Sequence, residues 1–550
     1  MRGGGYDLNR GSITVYLSLT LLICVGLVMT VLESARVQGM KARLAMGAES
    51  ALDSVFAEYD KDLFDTYGIS LFAGGESGIR LRESMEQYMG YVCRPSQDLI
   101  FGGMTFYPME VGQIDTEDMI RAVDHKGTVF AHLVVEYMKY QTVGDQTQTI
   151  LDQLGLLQSG DQALEDTDSA REEADRTDWG EGSNGALDME AVSVYQQSHG
   201  QRALKNTALP LEEEETQGGE TQGGETQGET SHEQEEDGAQ SAFDRERYEE
   251  TVENSMIHDM EEIQKGAFME LILPKGSALS GEKIESEGLP SRSIPEGEAL
   301  TWENGLEDMG REILYNFYVA EFFPSFVSQE KRAGVQYELE YILFGRESDD
   351  ANLQAAVNRL LLVREGLNIL HIVRSPEKME AALAAAGTLM GWTLIPALVT
   401  LTQAVLVGVW AFAESIVDLR VLMGGGKISL IKDSTEWNMS LEGAAALLKG
   451  NAIEGKEGEN GLSYTEYLRL FLFLENDEEK YYRTMDMIQI NMQEKDPSFR
   501  MEECIFGVQM RIQVTADRIL NGFLGMESRG GSLDRRTRNY AYSFSVSRMY

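Results

Sequence analysis

The sequence predicts an α+β chain dominated by helices. At its head stands one long helix, membrane-spanning in its first half and amphipathic in its second. Three observations predict this. Ile13 to Leu32 is a run of twenty residues without a formal charge, and a helix of that length crosses the roughly 30 Å hydrocarbon core of a bilayer. Val37, Met40, Leu44, Gly47, Ala51 and Val55 then follow at spacings of three and four, which marks one apolar helical face. Behind them, helical periods dominate and short alternating segments are scattered between.

The chain of 550 residues is too long for one hydrophobic core, so two or three packed units with linkers are expected. Acidic residues number 91 against 47 basic ones, a formal net charge of −44. Such a field repels phosphate backbones and argues against a nucleic-acid partner. Cysteine is scarce. Cys24 lies in the apolar run, and Cys93 and Cys504 either pair or remain two free thiols.

The leader, residues 1–12, carries Arg2 and Arg10 against Asp7. The apolar run is longer than a signal-peptide core and continues straight into the amphipathic stretch, which reads as a signal anchor at 13–32. Arg36, Lys41 and Arg43 follow the span, so the positive-inside rule does not decide its direction. The acidic bulk and the short leader place the N-terminus in the cytoplasm and the body outside. Proline is absent before Pro95, which allows one helix from about Ile13 to Phe64; at 1.5 Å per residue that is a rod of about 75–80 Å. The region 33–66 is rich in small residues (Gly39, Ala42, Ala45, Ala48), which permits close approach of another helix or of the chain's own body.

The run Arg10-Gly11-Ser12-Ile13-Thr14-Val15-Tyr16-Leu17 resembles the start of the TadE/TadG class of pseudopilins from Tad (Flp) pilus systems. In that class a glycine precedes the cleavage point and a glutamate follows at the fifth position. Gly11 matches the glycine, which makes Gly11–Ser12 the candidate leader-cleavage position; Tyr16 stands where the glutamate belongs, a departure from the motif. The text from Ser34 to Phe72 resembles an uncharacterised family of large single-anchor proteins found alongside Tad-like pilus genes. Segments 135–140, 337–345 and 410–415 fit the same family. The resemblance implies a non-enzymatic structural component of a pilus or envelope assembly, with helix–helix contacts to its neighbours. It brings no catalytic residues.

Further along, residues 67–160 read as the first part of the body. Ile79 to Val92 reads as a helix with Leu81, Met85 and Tyr88 on one side, Met104 to Val111 as a short strand, and Asp115-Thr116-Glu117-Asp118 as a helix start. Val129 to Tyr140 reads as a buried helix. Between 161 and 240 stand 22 acidic residues and only Arg171, Arg176, Arg202 and Lys205 as cations, with ETQGG repeats. This composition predicts a disordered acidic linker. A calcium loop at Asp166 is disfavoured, because Ala170 and Arg171 occupy the positions of an oxygen ligand and the turn glycine.

The main body, 241–550, reads as helices at 245–265, 306–322 and 349–372, with Met309, Ile313, Phe317 and Val319 inward on the second. Strands are expected at Phe268–Leu273 and Val335–Phe344, the latter with Glu338 and Glu340 facing solvent. Ala381 to Ala413, within the apolar stretch 381–422, has 33 residues, no charge and one proline, Pro396. Its length permits a second span or a hairpin; its alanines, threonines and Gln403 favour a buried helix pair broken near Pro396. Helices at 441–448, 462–474 and 479–492 follow, the last with Gln489, Asn491 and Gln493 outward or capping. Strands are expected at 428–431, 506–514 and 540–546.

Chemistry leaves few marks. Six histidines lack the i, i+4 spacing of a helical zinc site, and no cysteine pair frames a metal. His132 and His371 fall in apolar helices and read as core or boundary residues. No Gly-x-Ser-x-Gly elbow or Walker loop occurs, and the acids are too numerous for a general acid–base pair to stand out. No catalytic, cofactor or metal residue is therefore expected. A tethered binding or adhesin-like ectodomain is the alternative to the structural reading, and a surface hydrolase has only the size of the body behind it.

Overall fold

The computed structural model describes residues 9–94, 107, 109–142, most of 247–300, 308–328, 332, 334–458, 461–517 and 539–550. The acidic linker expected at 161–240 lies outside the described residues. In chain order the elements begin with α1 (Asn9–Phe56), α2 (Lys61–Tyr67), β1 (Phe72–Ala73), α3 (Ile79–Val92), β2 (Met109–Arg121) and α4 (Thr128–Thr142). They continue with α5 (Met256–Gly266), α6 (Phe268–Ile272), α7 (Asp308–Phe322), α8 (Glu338–Phe344), α9 (Asp349–Val373), α10 (Pro376–Met390) and α11 (Pro396–Met423). The last are β3 (Lys427–Ile428), α12 (Leu441–Leu448), β4 (Leu462–Ser463), α13 (Tyr464–Leu472), α14 (Asp477–Gln493), β5 (Cys504–Asp517) and β6 (Asn539–Met549). The fold is α+β and helix-dominated, as expected.

The chain forms two units, and both draw on the stretch 241–550. The first comprises residues 1–140, 288–311 and 477–550. Its sheet is antiparallel, with β5 between β2 and β6, and β1 paired to the start of β5. β5 alternates: Met510, Ile512 and Val514 are buried, while Gln509, Arg511 and Gln513 are exposed. The buried side of the sheet carries α1 and α3, and Met40, Leu44, Val55, Leu81, Met85 and Ile512 share one core with it. The helix α3 falls where the sequence places it.

Three expectations in this unit change, two of them in its first half. α1 stops at Phe56, not Phe64, because the chain turns and Asp60 starts a new helix, its carboxylate accepting the Leu63 N–H at 3.0 Å. At 48 residues α1 is about 72 Å long. Asp115 to Asp118 do not start a helix; they lie within β2. The acids suit the solvent side of a strand. Glu117 pairs with Arg511 of β5 and accepts from the Ser545 hydroxyl of β6 at 2.7 Å.

In α14, Gln489 is buried, not outward. Its amide donates to the Gly288 carbonyl at 2.8 Å and its oxygen accepts the Met501 N–H at 2.8 Å. Asn491 donates to the Tyr67 hydroxyl at 2.9 Å. The Tyr482 hydroxyl donates to the Val123 carbonyl at 2.6 Å. His132 is half-buried in α4, edge-on to Phe506, and burial lowers its pKa. Cys93 and Cys504 are buried free thiols.

The second unit comprises residues 141–287 and 312–476. Its centre is the antiparallel pair of α9 and α11, with α10 folded back along α11 through a turn at Gly391–Ile395. The hairpin breaks near Pro396, which begins α11 at a position where a missing N–H costs nothing. Two predicted strands are helices. Phe268–Ile272 is α6. Val335 to Tyr337 carries no strand, and Glu338 to Phe344 is α8, in which every residue from Glu338 to Leu343 is buried. When all faces of a short segment are buried, alternation of residue types no longer distinguishes strand from helix. Met309 on α7 is exposed, whereas Ile313 and Val319 are buried.

Burial of the two glutamates on α8 is offset by partners. Glu338 receives two hydrogen bonds from Arg332, at 3.0 and 2.7 Å. Oε1 of Glu340 accepts the Phe326 N–H at 2.8 Å and the Tyr464 hydroxyl at 2.9 Å. Its other oxygen has no hydrogen-bond partner, and burial pushes its pKa up to about 7. Below about pH 7 the carboxyl is therefore mostly protonated, and the free oxygen can carry the proton.

Candidate functional site

Two places concentrate side chains whose arrangement goes beyond core filling. One is the point on α1 where its apolar half ends. The other is a buried charge network on α11.

α1 changes character within a turn. Ile13, Leu17, Leu21 and Leu27 expose 65, 69, 65 and 61% of their surface. This part of the helix is long and apolar enough to cross a membrane by length and composition. Glu33 and Arg36 are then both buried. Arg36 Nη2 donates to Glu33 Oε1 at 2.7 Å and to the Asp517 carbonyl oxygen at 2.7 Å. The end of β5 is thereby fixed to the helix where the apolar run stops. At the far end, the Tyr550 hydroxyl donates to the Phe56 carbonyl at 2.7 Å. Between them Lys41 Nζ lies 4.8 Å from the centre of the Tyr542 ring, within range of a cation–π attraction.

Of the residues singled out from sequence, Gly11 and Ser12 lie in the first turns of α1. Met40, Leu44, Ala51 and Val55 are buried against α3 and the sheet; Val37 and Gly47 are half-buried. Ala48 and Leu52, not in the predicted stripe, are also buried there. Gly47 marks the closest approach: a Cβ at that position would stand 2.3 Å from Val92 Cγ1.

The network joins α9, α11 and the loop after β3. Arg364 is wholly buried and donates to Asp418 Oδ2 from Nε at 3.1 Å and from Nη2 at 3.0 Å. Its Nη1 reaches the carbonyls of Ser429 and Leu430 at 2.9 and 3.0 Å, and the Tyr467 hydroxyl at 3.1 Å. Lys432 pairs with Glu414 at 2.6 Å and also with Asp418. Asn368 donates to Ser415 Oγ at 2.9 Å and Asp418 Oδ2 at 3.1 Å; Asn438 donates from its backbone and side chain to Glu414 at 2.9 and 2.8 Å. Two cations thus face two carboxylates. Burial raises the Glu414 pKa, and its Oε2 has no hydrogen-bond partner.

At the rim of the network His371 stacks on Trp437, ring centres 4.6 Å apart. Its Nδ1 meets the Lys432 carbonyl at 3.1 Å and its Nε2 meets Lys378 Nζ at 2.7 Å. A carbonyl can only accept, so Nδ1 carries the ring proton and Nε2 accepts a hydrogen bond from the ammonium. The ring is neutral in this arrangement, and burial followed by the charge of Lys378 lowers its pKa.

Chemically the network is self-compensated: it pins the 429–438 loop to two helices. Among the described residues no group of three or more His, Cys, Asp or Glu side chains is placed to hold a metal ion. A cavity of about 160 Å³ in the first unit is lined by Gly75, Ser77, Met119, Arg121, Glu502 and Ile505 among others, well below the roughly 300 Å³ at which small-molecule sites begin.

Residues 246–516, just under half of the chain, match a family of unknown function (DUF5702). No curated protein and no solved structure matches the chain. The matched stretch holds the entire charge network and leaves out α1. Sequence reading passed over Arg364, Asp418, Glu414 and Lys432. One signal was available: Glu414 and Asp418 stand four residues apart on a helix that is otherwise uncharged from Pro396 to Leu419, and carboxylates so placed need buried partners.

Proposed function

We propose that the chain is a non-enzymatic, membrane-anchored structural component of a cell-envelope assembly, of the Tad/Flp-like pilus kind, with its N-terminus cytoplasmic and its bulk outside. The observation that carries this is the continuity of α1. One helix supplies both the apolar stretch and the central core helix of the first unit, and Arg36 ties the junction to Asp517. A tether needs no such stiffness; a subunit that must hold its body in register with neighbours does. The pilus assignment rests on the resemblance of residues 10–17 to the start of pseudopilins and of residues 34–72 to a family of large single-anchor proteins found alongside Tad-like pilus genes.

A second reading, a tethered binding ectodomain, gains from one fact. The stripe from Met40 to Val55 is buried within the chain's own unit, so helix–helix contacts to neighbours fall to residues 13–32. There Gly26 has open space around its Cα.

The test is replacement of residues 13–32 by twenty leucines, keeping 33–56 intact. The structural reading expects loss of crosslinks to neighbouring envelope proteins while the chain stays in the membrane. Unchanged crosslinks and function favour the tether. Single cysteines at Ser231 and Ser545, in a background without native cysteines, test direction: an impermeant thiol reagent on intact cells should label both.

A further inference from the structure

The hairpin of α10 and α11 ends in an apolar tip that is exposed among the described residues of the second unit. From Ala381 to Ala413 no residue bears a charge, in a chain where 25% do. α11 is long and apolar enough to cross a membrane, but its C-terminal half is committed to the unit. From Leu406 to Leu419 every residue except Gly408 is buried, and Glu414 and Asp418 belong to the charge network. Such a helix does not face lipid along its length.

The tip does. Leu394 exposes 82% of its surface, Leu383 46% and Ile395 42%; Thr388, Pro396 and Ala397 are exposed beside them. Leu394 holds a left-handed backbone with φ of 56°, a conformation leucine adopts at a cost. The turn around it is closed by Thr393, whose hydroxyl donates to the Met390 carbonyl at 2.7 Å. Trp392 is half-exposed, with the Arg247 guanidinium 4.3 Å from its ring centre. Exposed charges return at Glu380 and Glu377 on α10 and at Arg374 just before it. Leu383 to Met390 spans about 10 Å of helix, the depth at which interfacial segments sit in the headgroup–acyl boundary. The indole N–H of Trp392 is buried without a hydrogen-bond partner, so what the rim offers the headgroup layer is the half-exposed ring and the cation beside it.

We propose that this tip is a second, interfacial membrane contact: Leu394 and Ile395 enter one leaflet, Trp392 lies at headgroup level and Arg247 reaches lipid phosphate. The proposal rests on α1 being a membrane anchor, which keeps a bilayer within reach of the chain. It commits to lipid, not to a protein partner, because no residue from Ala381 to Ala397 bears a charge, charge returns on α10 at Glu380 and Glu377, and Arg247 stands at the rim beside Trp392.

The test uses the full-length protein, native cysteines replaced by alanine, in phosphatidylcholine vesicles. A nitrobenzoxadiazole probe is placed singly at L394C, at L21C in α1 and at S434C in an exposed loop of the same unit. Nitroxide-labelled lipid should quench the probes at 394 and 21 at least threefold more than the probe at 434. A probe at 394 that responds only to aqueous iodide, while 21 responds to lipid, overturns the proposal and leaves the anchor standing. If 21 also fails to respond to lipid, both readings fall. A probe at 394 shielded from both quenchers indicates a protein cover and also overturns it. A397C serves where L394C does not fold, and L394D/I395D should cut lipid quenching of a probe at Thr388 severalfold.

Discussion

Arg364 and Asp418 share one oxygen: two guanidinium nitrogens converge on Asp418 Oδ2, at 3.1 and 3.0 Å, with both side chains wholly buried. Asp418 Oδ1 is left for Lys432. One carboxylate thus joins two cations from separate segments, and neither cation loses its other acceptors when the pair is considered alone. Arg364→Met or Asp418→Asn is expected to destabilise the second unit by about 3–5 kcal/mol, because a buried charge then stands uncompensated. The double variant Arg364→Met/Asp418→Leu should recover much of that loss. Denaturant unfolding followed by tryptophan fluorescence measures both; a loss in the double variant equal to the sum of the single losses would show that the charges act independently.

Glu340 makes stability depend on pH in the opposite sense to most carboxyls. Its folded-state pKa is raised from 4.5 to about 7 by burial, so the folded chain binds the proton more tightly than the unfolded one. The resulting contribution is full below pH 4.5 and is lost as pH rises through 7. Glu340→Gln cannot ionise and escapes that loss. The variant should match the parent near pH 4.5 and gain on it up to pH 8.5, by about 3 kcal/mol at most. Melting curves across this range that run parallel for the two proteins would falsify the assignment.

Much of this fold was legible wherever burial is one-sided. α3, α4, α9 and α12 show their inward faces in the spacing of their apolar residues, and β5 and β6 show theirs by alternation. The reading failed where the deciding partner is distant or where all faces are buried. The acids at 115–118 look like a helix start until β5, some 390 residues later, supplies the strand they pair with. α8 looks like a strand because no solvent face remains to reveal its period. The network was hidden for a related reason: 91 acids offer no ranking, and only the position of Glu414 and Asp418 inside an apolar helix sets them apart.

His371 should titrate below its ordinary pKa of 6.5, since burial and Lys378 both disfavour the imidazolium. Removing the neighbouring cation by Lys378→Met leaves burial in place but lifts the repulsion. The midpoint should therefore rise toward 6.5 without exceeding it, read from the imidazole carbon signal of ¹³C-histidine-labelled protein. In the parent, the unfolded chain binds the proton first as pH falls below 6.5, so this group lowers stability from pH 6.5 downward. An unchanged midpoint in the variant would mean that the 2.7 Å contact to Lys378 carries no charge.

Gly47 and Val92 test the seat of α1. An alanine in the middle of a helix is favoured over glycine by about 1 kcal/mol, which taken alone predicts that Gly47→Ala stabilises. The added Cβ, however, would lie 2.3 Å from Val92 Cγ1 and 3.1 Å from Cγ2, and both helices are held by a shared core. Overpacking of this kind costs about 1–3 kcal/mol, so the single variant is expected to be destabilised on balance. Val92→Ala removes both methyls in the way. In the double variant Gly47→Ala/Val92→Ala the helix gain should appear without the clash, giving a coupling energy of roughly 1–2 kcal/mol in a double-mutant cycle. The measurement is the unfolding midpoint of the full chain in detergent. Additive effects would mean that α1 and α3 part easily at this point, and the stiffness claimed for the junction between the apolar helix and the first unit would then rest on Arg36 and Tyr550 alone.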